Sequence, residues 1–295
     1  MAPLTQLHAA APIKLLLIGN SSVGKTGALA SLAARGFNLR VLDIDKGVDV
    51  LGSLLTSPDS PYYKLDPEAA SRVHVIQCSD TMKAISSGAL VPERVKGWAT
   101  FTNALTHWKD ESSDLGPVKD WTTKDVLVID SLTGLTKLAL HYHLFLNAAL
   151  YKTRTQNEAR RDIGATQNYI RDLLDLLYDD SIRCNVILIS HITAVTESGG
   201  ASPIEEGKLA LATYGHPSAI GRALSPHVPR WFNSMLVMKA VRQGLKIERK
   251  IFTSPQDVDG SLVFAKTSAP LRVKESYDIT WGLADFFNDV KKGVA

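Results

Sequence analysis

Cysteine is almost missing from this sequence: Cys78 and Cys184 stand alone and far apart in 295 residues. That excludes a disulfide framework and a cysteine-based zinc site, and it fits a reducing, cytoplasmic setting. Long apolar runs are missing too. No stretch approaches the roughly 20 residues that a bilayer-crossing helix needs, so no membrane partner is expected. Residues 1–12 are apolar but carry no charge at their start. No signal peptide is expected there, and the segment reads as a flexible N-terminus. Neither sign of charge dominates: 33 Lys and Arg stand against 30 Asp and Glu, a net +3. The resulting pI of about 8.7 is compatible with nucleic acid without demanding it. Internal repeats and low-complexity linkers are absent, so residues 13–290 read as a single domain. What is present suits a packed core, with 45% hydrophobic and 21% charged residues.

The most specific local signal is Gly19-Asn20-Ser21-Ser22-Val23-Gly24-Lys25-Thr26. It fits the phosphate-binding pattern G-x-x-x-x-G-K-[ST] at every fixed position. An apolar run, Ile13 to Ile18, precedes it and reads as a buried strand. An Ala/Leu-rich stretch, Gly27 to Ala34, follows and reads as a helix. In such a turn successive backbone N–H groups cradle phosphate oxygens at a helix N-terminus. Lys25 is then placed for the β- and γ-phosphates, and the Thr26 hydroxyl for Mg²⁺.

Further along, apolar β-branched runs alternate with helical patterns. Strands are expected at Asn38 to Ile44, Val73 to Gln77, Val126 to Ile129 and Asn185 to Ser190. Helices are expected at Val48 to Leu55, Lys96 to Trp108, Thr133 to Ala149 and Gln167 to Leu177. The rhythm predicts an α/β fold with a mostly parallel sheet and helices on both faces. Ser234 to Val241, Gly244 to Thr253 and Leu262 to Lys266 read as closely spaced strands that extend the same sheet in antiparallel fashion.

Three strand ends carry candidate chemistry. Asp130 closes an apolar strand, the place from which phosphate-loop proteins hold Mg²⁺. Asp43 and Asp45 lie on one side of their strand by period two. Asp45, nearer the carboxyl end, can face the cleft and activate the water that attacks a γ-phosphate. His191 follows the last parallel strand and can reach the γ-phosphate. His141 and His143 are two apart on a helix and do not face one way, which argues against a metal pair.

Taken in this order, the pieces resemble the RecA superfamily of ATPases over about Ile13 to Lys274. The resemblance is closest at Leu42-Asp43-Ile44-Asp45-Lys46-Gly47-Val48-Asp49 and at Val126-Leu127-Val128-Ile129-Asp130-Ser131-Leu132-Thr133-Gly134-Leu135. More narrowly, the chain looks like the core-only RecA-like ATPases of phages, the Sak-type proteins linked to single-strand annealing and recombination and grouped among AAA-family nucleotide-binding proteins. The features that carry this are His191 at the sensor position and the Lys266-Thr267-Ser268-Ala269-Pro270-Leu271-Arg272 tail. The resemblance implies ATP and Mg²⁺ as cofactors, with Lys25, Asp45 and His191 catalytic and Thr26 and Asp130 on the metal. One departure stands out: the family's catalytic Glu is here Asp45, shorter by one C–C bond, roughly 1.5 Å.

The resemblance also implies single-stranded DNA as partner, a homo-oligomer or filament, and a single-strand-binding or annealing protein as a further partner. Lys208, Arg222, Arg230, Lys239, Arg242, Lys246, Arg249 and Lys250 face only Glu248 in their stretch. A Gly/Pro-rich segment, about 193–229, reads as a long loop, and the resemblance implies that it is the mobile DNA-binding loop. Arg222 and Arg230 are the first candidates for DNA phosphates, and Lys152 and Arg154 the second. Lys266, Arg272 or Lys274 can act in trans on a neighbouring subunit's γ-phosphate. Two other functions stay open: an ATP-switched assembly protein without nucleic acid, and a small-molecule kinase with Arg222 and Arg230 on its lid. A GTPase is disfavoured, because Thr123-Lys124-Asp125-Val126 sets its Asp one place early for guanine.

Overall fold

A computed structural model describes residues 11–292, apart from 85, 87, 89, 151, 197–212, 222 and 245. In chain order the elements that matter are β1 (Lys14–Gly19), α1 (Lys25–Ala28), α2 (Ala30–Ala34), β2 (Asn38–Asp43), α3 (Asp49–Thr56) and α4 (Pro61–Leu65). Then come β3 (Val73–Gln77), β4 (Thr81–Ala84), β5 (Leu90–Arg94), α5 (Gly97–Thr106), β6 (Trp108–Lys109), β7 (Asp114–Gly116) and β8 (Asp125–Asp130). Helices α6 (Leu132–Leu146) and α7 (Gln156–Tyr178) lead to β9 (Asn185–Ser190), β10 (Ile192–Thr196) and β11 (Thr213–Pro217). The chain closes with β12 (Ser234–Gln243), β13 (Lys246–Phe252), β14 (Gln256–Val258), β15 (Ser261–Val263), β16 (Ser276–Asp278) and α8 (Gly282–Lys291).

The main sheet has eight strands in the order β16-β13-β12-β1-β9-β8-β2-β3. Pairings from β12 through β3 are parallel, whereas β13 on β12 and β16 on β13 are antiparallel. The expected α/β architecture, with a parallel sheet and an antiparallel extension near the C-terminus, is therefore present. Strand β1 shows why. Its side chains alternate between two cores: Leu16 and Ile18 enter one with α5, α6 and α7, and Leu15 and Leu17 enter the other with α1 to α4 and α8. A strand buried on both faces needs a continuous apolar run, which this one is.

Two expectations are corrected. The segment Leu262 to Lys266 touches the main sheet only through one antiparallel bridge, Lys266 to Met235 of β12: β15 lies in a second, four-stranded sheet ordered β10-β11-β15-β14, and β16 takes the main-sheet edge. Residues 193–229 are not one long loop. They contain β10, β11 and a 3-10 helix at Ser225–Trp231. Residues 197–212, and Lys208 with them, lie outside the described residues, as do Arg222 and residues 1–10. None of the described helices is long and apolar enough to cross a membrane.

Candidate nucleotide site

The phosphate loop bridges β1 and α1. Gly24 has φ 95°, a left-handed conformation that costs glycine nothing. A Cβ there would also stand 2.6 Å from Ile279 Cδ1. Lys25 is buried under the loop, and its Nζ donates to Gly19 O and Asn20 O, each at 2.8 Å. Burial lowers its pKa to about 8, while Asp130 and Asp45 pull the other way. A desolvated ammonium held against two carbonyls is poised for a stronger acceptor such as a phosphate oxygen.

Across the sheet tip, Thr26 Oγ1 donates to Asp130 Oδ2 at 2.6 Å. Burial raises the Asp130 pKa to about 6. The Thr26 bond and Lys25 oppose this, and the nearby Asp45 and Asp43 reinforce it. Two carboxylates, Asp130 and Asp45, thus act on the one ammonium of Lys25. One carboxylate and one hydroxyl as direct donors suit Mg²⁺, which keeps waters and phosphates as its remaining ligands. Among the described residues no cluster of three or more His, Cys, Asp or Glu could hold a metal by itself. His141 and His143 indeed diverge, to Asp80 at 2.7 Å and Asp162 at 3.2 Å.

Asp45 sits in the turn beyond β2, which ends at Asp43 rather than Ile44. The backbone N–H groups of Ile44 and Asp45 both donate to Asp130 O, at 2.7 and 3.2 Å. The Asp45 side chain accepts from Ser131 Oγ at 2.6 Å and lies 3.7 Å from His191 Nε2. His191 Nδ1 in turn is 3.5 Å from Ser21 Oγ in the phosphate loop. Desolvation and then Lys25 lower the His191 pKa against the pull of Asp45, which favours a neutral imidazole. Asp43 does something different. It is buried opposite Asp130, and its Oδ1 accepts from Gly47 N at 3.2 Å, fastening the turn that carries Asp45.

These residues line one cleft of about 600 Å³. Ser21, Lys25, Thr26, Asp45, Asp130 and His191 supply its polar lining, and Val50, Leu54, Tyr62 and Ile279 its apolar lining, with Ile279 and Arg249 set against Gly24 of the phosphate loop. The arrangement fits a nucleoside triphosphate: phosphates at the loop, a flat base against the apolar wall. Sequence reading missed that wall and the orienting role of Ser131. It also missed Gly134, where a Cβ would meet Asp45 Oδ1 at 2.5 Å. Arg249 was visible only as one basic residue among many.

The other basic candidates lie elsewhere. Arg154 makes a bidentate pair with Asp162 at 2.8 to 2.9 Å, and Lys152 is exposed. Arg230 lies 4.0 Å over the Trp231 ring, whose Nε1 donates to Asp175. Asp162 and Asp175 are separated by about 20 Å along α7, so the structure does not bring Arg154 and Arg230 together. Lys266, Arg272 and Lys274 have exposed side chains beyond β15, with Lys274 Nζ 5.6 Å from the Tyr277 ring.

No curated protein matches the chain. Among solved structures it is similar to the RadB recombinase, at 14% identity over 84% of this chain and 85% of that chain, with a TM-score of 0.40. It is also similar to a KaiC-like protein of the archaeon Pyrococcus horikoshii OT3, at 11% identity over 83% and 85%, TM-score 0.35. The flagellar accessory protein FlaH of Methanocaldococcus jannaschii matches at 10% identity over 90% and 84%, TM-score 0.39. A family model described as an AAA domain matches residues 11–257, from the strand before the phosphate loop to β14. With that match spanning most of the chain and the phosphate loop, Asp130 and His191 gathered at one sheet edge, the chain belongs to the AAA-domain family of P-loop nucleotide-binding proteins.

Proposed function

We propose that this protein is an ATPase of the Sak-type phage class that binds single-stranded DNA and acts in recombination or annealing in the cytoplasm. One observation carries the reading. The residue that can sense a γ-phosphate, His191, leads directly into β10, so the second sheet hangs on the nucleotide site. His191 O accepts from Ser218 N at 2.8 Å, which closes the β10–β11 hairpin at its base. Asn20 of the phosphate loop donates to Asp259, in the β14–β15 turn, at 2.5 Å. A change at the phosphates therefore reaches this sheet by two routes.

In this reading Lys25 neutralises the β- and γ-phosphates, Thr26 and Asp130 hold Mg²⁺, and Asp45 orients the attacking water. Mg²⁺, when bound, supplies the charge that steadies the phosphate oxygens. Arg222, Arg230, Lys152 and Arg154 are DNA-phosphate candidates. Lys266, Arg272 and Lys274 are available to a neighbouring subunit in a filament or ring, and a single-strand-binding or annealing protein is the expected partner. The test measures ATP hydrolysis with and without single-stranded DNA, beside a salt titration of fluorescent oligonucleotide binding with a non-hydrolysable ATP analogue. DNA should stimulate turnover, and log affinity should fall linearly with log salt. ATP hydrolysis with no DNA binding at low salt in any nucleotide state would favour the assembly switch instead.

A further inference from the structure

The four-stranded sheet turns one face to the core, and among the described residues nothing covers the outward side chains of Leu262 and Phe264. Gly215 and Val263 are buried inward, and a Cβ on Gly215 would meet Val263 Cγ2 at 2.5 Å. By strand alternation Tyr214 and Leu262 point outward, and Phe264, one residue past β15, joins them by its exposure and its contact with Tyr214. Tyr214 lies opposite Leu262 in the β11–β15 register. The Tyr214 and Phe264 rings are stacked, with centroids 5.9 Å apart and planes within 17°. Yet Phe264 is 51% and Leu262 39% exposed. A pre-stacked aromatic pair, the half-buried Tyr214 on β11 and the exposed Phe264 just past β15, presents a flat π-face at little entropic cost.

The border of this face is cationic. Lys239 Nζ donates to the Asp257 carbonyl of β14. Lys266 is exposed just past Phe264 on the same side, with Ala265 turned to the core. The carboxylates at that end are engaged: Asp257 Oδ1 accepts from Gly260 N at 3.2 Å and Asp259 from Asn20. Aromatic faces with flanking ammonium groups match a polyanion whose units carry planar rings.

We propose that this face is a base-stacking platform for single-stranded DNA, in which Phe264 and Tyr214 take unstacked bases while Lys239 and Lys266 meet the adjoining phosphates. The proposal rests on the single-stranded DNA reading above and gives it a place distinct from the basic residues around α7. Stacking on π-faces is tolerant of sequence, so the platform suits a protein that must bind many sequences.

The experiment compares binding of a fluorescent oligothymidylate and an abasic oligonucleotide of equal length, at one salt concentration and with a non-hydrolysable ATP analogue. The wild-type protein should prefer the thymidylate about tenfold. Phe264→Ala and Tyr214→Ala should each lose about tenfold on the thymidylate and little on the abasic strand. Phe264→Tyr should keep wild-type affinity, and basal ATPase should persist in all variants. Equal wild-type affinity for both strands overturns the platform even if the alanine variants fail to fold. Folded alanine variants with unchanged thymidylate binding overturn it too, and leave the single-stranded DNA reading standing. No binding of either strand at low salt overturns both.

Discussion

At the scale of single residues the site is held under electrostatic tension. Asp130 carries a pKa raised to about 6 because it is buried near Asp45 and Asp43. A raised carboxyl pKa stabilises the fold only while the group is protonated. That contribution is complete below the unfolded value near 3.9 and is lost as pH rises through about 6. Asp130→Asn should therefore stabilise the nucleotide-free protein at pH 8 by on the order of 2 kcal/mol and give little at pH 4, as denaturant unfolding at the two pH values would reveal. The same variant should lose Mg²⁺-dependent nucleotide binding. Asp45 is the contrasting case. In the proposed mechanism the Asp45 carboxylate meets water rather than phosphate, so Asp45→Asn should lower kcat about a hundredfold or more and leave the Kd for ATP nearly unchanged. Single-turnover kinetics beside equilibrium binding separates the two. Lys25 and Thr26 were legible in the sequence because their spacing is fixed in one strand–turn–helix unit, and Asp130 because it closes an apolar strand. Ser131 and Gly134 were not, since their roles appear only once the turn after β2 folds against α6.

At the scale of elements the β12–β13 hairpin matters most. Met238 pairs with Gly19, and β12 continues beyond it to Gln243, so the hairpin rises past the phosphate loop. Antiparallel pairing sets Arg249 opposite Ala240 and Ile251 opposite Met238. Ile251 and Met238 are in the core beside α1 and α2, so period two brings Arg249 to the nucleotide side. Arg249→Ala should raise the Kd for ATP about tenfold, and Arg249→Lys should recover part of it, as titration with a fluorescent ATP analogue would show. The sequence showed the strands of this hairpin and the five strands around β1, because each is a continuous apolar or alternating run. It did not show β4, β5, β6, β7, β10, β11, β14 or β16. These are short, and their pairing depends on neighbours far along the chain rather than on their own pattern. The same limit misplaced Leu262 to Lys266, since a strand does not state which sheet it will join.

At the scale of the whole molecule the two sheets are coupled through small polar contacts. Asp259 adopts φ 52°, so Asp259→Gly removes its carboxylate without backbone strain. That variant should keep basal ATP hydrolysis within about twofold and lose most of the stimulation by single-stranded DNA. Steady-state ATPase measured across an oligonucleotide titration tests this. The main sheet itself has a different part. Strand β9 lies between β1 and β8, so the phosphate loop and Asp130 spring from strands that never touch, roughly 10 Å apart through hydrogen-bonded backbone. That spacer makes the frame a vice with fixed jaws. Nucleotide cannot squeeze the sheet, and motion is left to the fittings at its rim: the turn after β2, the His191 junction and the Asp259 turn. Those fittings can be recut one at a time for new partners while the jaws keep their gap.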